Sequence, residues 1–313
     1  MLVPALMLQA LLLAFLMAEL LLYVWLCLFL GGRHLNVLEI AATLLLIAIA
    51  WRLSHALASF TVTSALRWCD RRVLPWSNNL AALGSEVAAR FVCFNWSQPF
   101  QNLAVGADPI GATNGVPILL VHGYVCNRGL WVALRQTLAA AGLGPIYADT
   151  FAPLFGGIDV FAAKLDARIE AICIETGADK VMIVAHSMGG LAVRAYMAQT
   201  AQTAVSRIAK LVTLGSPHHG SQVARLGIGM NAGQMCEQSE WLQMLESREA
   251  ADAIGGLRKR PATLSIYTLN DDLVYPPESS VLEWAENVPV SAVGHIGLVF
   301  SAPVARRVIA HLR

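Results

Sequence analysis

Charge is scarce in this chain. Asp, Glu, Lys and Arg together account for 14% of its 313 residues and nearly cancel to a formal +1. So weak a field excludes a protein that recognises nucleic acid or an acidic partner by electrostatics. The six cysteines (Cys27, Cys69, Cys93, Cys126, Cys173, Cys236) are scattered without CxxC spacing, which excludes a disulfide framework. No metal-ligand cluster, internal repeat or low-complexity tract is visible. The first ten residues hold no Lys or Arg, and the apolar run is far too long for an h-region, so a secretory signal peptide fits poorly.

What is abundant is hydrophobicity. At 56% it exceeds that of an ordinary soluble domain, and the excess sits in the first 60 residues. Residues 2–30 are nearly unbroken Leu, Ala, Met and aromatic, interrupted by Gln9 and Glu19. "GGRH" (31–34) signals a turn, and Leu35 to Trp51 is apolar again. The second run reaches spanning length if Arg52 and His55 snorkel. The expectation is a transmembrane helical hairpin over 1–58; the alternative is a buried hairpin on a soluble core. Glu19, mid-span, is costly unless neutral or paired, and a protonated Glu19 at a helix–helix contact is expected. Arg52, Arg67, Arg71 and Arg72 follow the second run, whereas the turn offers only Arg33. The positive-inside rule then places the C-terminal part in the cytoplasm, on a bacterial inner membrane. Residues 59–114 read as a linker with N-terminal elements, 59–75 being a basic amphipathic interfacial helix or a plain helical connection.

From about residue 115 the pattern changes. Short apolar runs at 116–123, 144–150, 180–186, 209–215, 262–269 and 288–293 alternate with helical segments at 128–141, 159–176, 187–201 and 302–312. That alternation predicts an α/β domain over 115–313, with a mostly parallel central sheet and helices on both faces. Polar residues gather just past strand ends, where ligands of such sheets bind: His122-Gly123-Tyr124, Ser187, "SPHHGS" (216–221), Asp271-Asp272 and His295. A serine hydroxyl needs an adjacent base, and the base a carboxylate that fixes its tautomer. Ser187, Asp271 and His295 stand in an order that supplies all three. Ala185 and Gly189 are the small residues that a strand–serine–helix elbow requires. The Met188 amide at a helix N-terminus and the Tyr124 amide after the first strand are candidate oxyanion donors. His122 reads as a loop-shaping residue.

"VHGY", "AHSMGGLAVR", "LVTLGSPHHGS", "YTLNDDLVYPPES" and "AVGHIGLVFS" together resemble the bacterial lipase and esterase branch of the α/β-hydrolases. The likeness covers about 115–313 and leaves out the apolar N-terminus. The Ala of Ala-x-Ser-x-Gly departs from the usual Gly. The resemblance implies Ser187 as nucleophile, His295 as general base and Asp271 as its partner. Asp272 is the competitor, and Asp272→Asn is expected to be mild. It also implies structural roles for His218 and His219. No cofactor is expected, nor calcium, because "HIGLVFS" lacks a carboxylate. The expected activity is hydrolysis of lipid-like acyl esters at a bilayer. Thioesterase, acyltransferase or polyester depolymerase chemistry, or an inactive membrane-bound interaction module, are the alternatives. Residues 222–262 are expected to cap the acyl pocket or simply to pack.

Overall fold

The structure, a computed structural model, describes residues 13–14, 17–26, 28–29, 36–109, 111, 115–199, 207–254 and 260–313. The expected turn at 31–34 and much of the run over 2–30 lie outside the described residues. Helix α1 (Met17–Leu26) is apolar but short. Helix α2 (Val37–Cys69) starts on a capping box, in which the Asn36 side chain accepts the Glu39 amide and Glu39 accepts the Asn36 amide. Neither Gly nor Pro interrupts it for 33 residues. Among the described residues it is the one helix long and apolar enough to cross a membrane.

One expectation fails here. Residues 59–75 do not form a separate interfacial helix, because 59–69 continue α2 in one rigid element. Its buried residues, Ala48, Arg52, Ala56, Phe60, Thr63 and Arg67, recur at helical spacing on one face. Glu19 lies at the expected contact between helices, with a cation beside it. Arg52 reaches it at 2.6 Å, and the Trp51 indole and Tyr23 hydroxyl also donate to it. The two helices meet side by side, which brings Arg52 next to a residue that linear distance sets far away.

After Pro75 the chain turns into α3 (Trp76–Val92), a π-helical turn (Cys93–Ser97) and α4 (Gln101–Val105). The sheet follows. Strands β1 (Ile118–Val121), β2 (Ile146–Ala148), β3 (Val181–His186), β4 (Ile208–Leu214), β5 (Ala262–Thr268) and β6 (Glu286–Val290) are all parallel, in the order β2-β1-β3-β4-β5-β6. Each of the six apolar runs read from the sequence supplies one strand. The reversal of order at β1 makes a switch point between β1 and β3, where a crevice opens at the strands' carboxyl ends.

The central strands are buried on both faces. Leu119, Val121, Ile183 and Ala185 point to one core and Ile118, Leu120, Met182 and Val184 to the other. A register slip beside Val181 inserts one extra residue in β4 and returns Leu211 to the face of Ile183. Helices α6 (Ile158–Thr176) and α7 (Met188–Gln199) cover one face. On the other lie α5 (Val132–Ala140) and the C-terminal helix Ala302–Leu312.

Candidate active site

Strand β3 delivers Ser187. The chain passes from buried strand to α7 within one residue, and Ser187 takes φ 55°. That conformation is costly for a residue with a Cβ and persists only where the surroundings impose it. They do so tightly. A Cβ on Gly189 would lie 2.5 Å from the Val121 carbonyl oxygen, and one on Gly123 would lie 2.7 Å from the Ser187 Cβ. The loop after β1 therefore runs directly against the elbow. Ala185, where Gly is usual, is fully buried.

His122 braces that loop. Its Nε2 accepts the Phe151 amide at 2.8 Å, so Nδ1 carries the proton and donates to the Gly123 carbonyl at 2.9 Å. Burial lowers its pKa to about 4, so it stays neutral. No intrachain acceptor among the described residues meets the Tyr124 or Met188 amide. The latter is one of the orphan donors that open any helix.

Asp271 follows β5. One oxygen accepts the amides of Leu273 (2.9 Å) and Val274 (2.7 Å), and the other meets His295 Nδ1 at 2.9 Å. Burial lowers the pKa of His295, but the charge and hydrogen bond of Asp271, then Glu86 and Asp272, outweigh it and leave it raised. His186, the residue before the serine, sets its ring 4.7 Å from that of His295, tilted by 53°, and hydrogen-bonds the His295 carbonyl through Nε2. Burial holds its own pKa well below the ordinary value. Ser187, His186, His295 and Tyr124 line a cavity of about 270 Å³ whose remaining wall includes Leu226 and Met235.

Asp272 faces the other way. It is fully buried, its carboxylate accepting Arg90 at 2.5 Å, the Ser59 hydroxyl at 2.6 Å and the His295 amide at 3.2 Å. This placement ties Asp272 to a buried ion pair and to the backbone of His295, not to its ring. Neutralising it leaves Arg90 buried beside a weaker partner. His218 is buried against Thr213 and its carbonyl is held by Arg194, while exposed His219 pairs with Glu246. Neither lines the cavity.

The described part of residues 222–262 divides in two. The 3₁₀ turn Gln222–Leu226 and the helix Met230–Gln234 cover the cavity, whereas Glu240–Ile254 packs on α7 through the Arg194–Glu249 ion pair. They separate where Gln238 takes φ 58° and Ser239 caps the second helix. Sequence reading missed Glu86, Arg90, Ser59 and Arg67. Glu86 and Arg90 stand at i,i+4 in α3, but that spacing says nothing of the distant loops they reach.

A sequence model of the family described as "PGAP1-like alpha/beta domain" matches residues 167–292. The chain is 32% identical over 129 residues to a triacylglycerol lipase of Burkholderia plantarii, covering 39% of this chain and 34% of the relative. It is 31% identical over 126 residues to one of Pseudarthrobacter phenanthrenivorans, covering 38% of each. The chain thus spans little more than a third of the length of these relatives. Among solved structures, Aspergillus fumigatus lipase B superposes with a TM-score of 0.56 at 15% identity, covering 66% of this chain and 54% of that one. The mature lipase BlEst2 of Bacillus licheniformis gives 0.52 at 18% identity, covering 64% and 96%. A parallel sheet with this switch point, a serine elbow at β3 and these likenesses give the chain the α/β-hydrolase fold.

Proposed function

We propose that the protein is a membrane-anchored serine carboxylic-ester hydrolase acting on lipid-like acyl esters, with Ser187 as nucleophile, His295 as base and Asp271 as its partner. One observation carries this reading. His295, paired with Asp271 at 2.9 Å, shares with the strained Ser187 a cavity that is otherwise largely apolar. Asp271 accepts from Nδ1, which leaves Nε2 to take the serine proton. As the Ser187 Oγ attacks the acyl carbon, its proton passes to His295, and the carbonyl electron pair moves onto an oxyanion met by the Tyr124 and Met188 amides. Collapse expels the alkoxide, which His295 protonates. Water then attacks the acyl-enzyme by the same route and releases the acid.

The named lipase relatives support the acyl-ester class. The exposed apolar side chains of α2 support the anchor: from Val37 to Leu57 they extend about 30 Å at 1.5 Å per residue, the depth of a bilayer core. In this reading α1 belongs to the first of two spans, and the hydrolase domain lies on the cytoplasmic side of a bacterial inner membrane. The test is fluorophosphonate labelling of the full chain in detergent, followed by a panel of p-nitrophenyl esters, phospholipids and acyl-CoA. Wild type is expected to label and Ser187→Ala to lose about 10⁶ in turnover while keeping its fold. Ester hydrolysis by Ser187→Ala near the wild-type rate refutes the reading. Preferential turnover of acyl-CoA moves it to a thioesterase.

A further inference from the structure

The loop that carries His295 is fastened by side chains from outside the sheet. The Gly294 amide donates to Ser85 at 3.0 Å, the His295 amide to Asp272 at 3.2 Å and the Gly297 amide to Glu86 at 3.0 Å. Ser85 and Glu86 belong to α3. Asp272 is in turn clamped by Arg90 of α3 and by Ser59 of α2. Two turns further along α2, Arg67 donates to the Asp271 carbonyl at 2.8 Å. The helix with the exposed apolar strip therefore grips the backbone of the acid and, through one carboxylate, the backbone of the base.

We propose that α2 is a positioning element of the active site, in which Ser59 acts through Asp272, with Arg90, to set the place of His295 relative to Asp271. This rests on the hydrolase reading above. Its physical basis is rigidity. Residues 37–69 form one unbroken helix, so the segment beside the bilayer and the segment beside the catalytic loops move together. A helix needed only as a tether would have no use for a hydroxyl 2.6 Å from a fully buried carboxylate. Arg90, half shared with Glu86, leaves that carboxylate room for the second donor. Displacements near 1 Å in a catalytic constellation cost about 10²-fold in rate, so a modest shift of α2 is sufficient to matter. The hydrolase domain is accordingly tuned by the helix that holds it at the membrane.

The experiment uses the full chain in detergent micelles, with kcat expressed per site titrated by fluorophosphonate so that misfolded protein does not count. Ser59→Ala removes one hydroxyl and no charge. The charged groups facing His295 (Asp271, Asp272 and Glu86, with Arg90 and Arg67 behind them) are all kept, as is neutral His186. Ser59→Ala is expected to lower kcat per site several-fold, up to about 10²-fold, with KM unchanged. The acid limb of its kcat/KM profile moves to lower pH, because the Asp271 contact that raises the base's pKa is loosened. Ser59→Thr, which keeps the hydroxyl, returns both quantities toward wild type. A purely structural Ser59 lowers only the titrated fraction. If kcat per site and the acid limb of Ser59→Ala match wild type, the inference falls while the hydrolase reading stands. If wild-type protein neither labels nor hydrolyses, both fall.

Discussion

At the residue scale, two adjacent aspartates have been given different work by their hydrogen bonds. Asp271 presents one oxygen to His295 and closes a turn with the other. Asp271→Asn is expected to cut turnover about 10⁴-fold by favouring the wrong histidine tautomer, with the titrated protein still folded. Asp272→Asn is expected to act first on stability. Weakening one partner of a buried ion pair is strongly destabilising, about 3–5 kcal/mol when the partner is lost outright, and a thermal or denaturant midpoint reads it directly. The raised pKa of His295 has its own consequence. The base must be neutral to accept a proton, so the acid limb of kcat/KM should lie above the ordinary histidine value of about 6.5. A limb at or below that value contradicts the assignment of Asp271 as its partner.

At the element scale, α3 joins the loops after β5 and β6 to α2 through a buried cluster of two carboxylates around Arg90. Burial, then the charge of Asp272, pushes the Glu86 carboxyl up to about 7 against the opposing pull of Arg90. The folded state thus binds this proton more tightly than the unfolded chain. Stability from this source is complete below the ordinary carboxylate range and is lost as pH rises through about 7. Glu86→Gln should lower the unfolding midpoint but flatten its fall between about pH 5 and pH 8. An unaltered slope removes Glu86 as its origin. None of this was legible from 59–114 read as a connection. A Glu-Arg pair at i,i+4 is ordinary on any helix surface, and only packing shows that its outer face meets Asp272.

At the scale of the whole molecule, the Glu19–Arg52 pair is a buried ion pair between α1 and α2. Among the described residues, Arg52→Leu leaves Glu19 with the Trp51 and Tyr23 donors and should destabilise the helix pair. Glu19→Leu combined with Arg52→Leu should recover most of the loss, since removing both charges avoids an uncompensated one. Mild-denaturant melts in micelles distinguish this from two additive losses. Carbonate extraction addresses the proposed anchor: full-length protein is expected to stay with the membrane, and its release as freely as a peripheral protein refutes the spans.

The sequence by itself determined the features whose causes are local. Apolar runs bounded by Gly, Pro and Asp gave the six strands. Small residues around Ser187 gave the elbow. Each depends on neighbours within a few positions, so composition and spacing carry it. Tertiary structure alone decided that α2 runs unbroken onto the hydrolase domain, that Arg52 answers Glu19, and that Glu86, Arg90 and Ser59 converge on Asp272 and the His295 loop. Those contacts join residues 33 to 213 positions apart. Nothing in the chemistry of either partner names the other until the sheet and its flanking helices have brought them together.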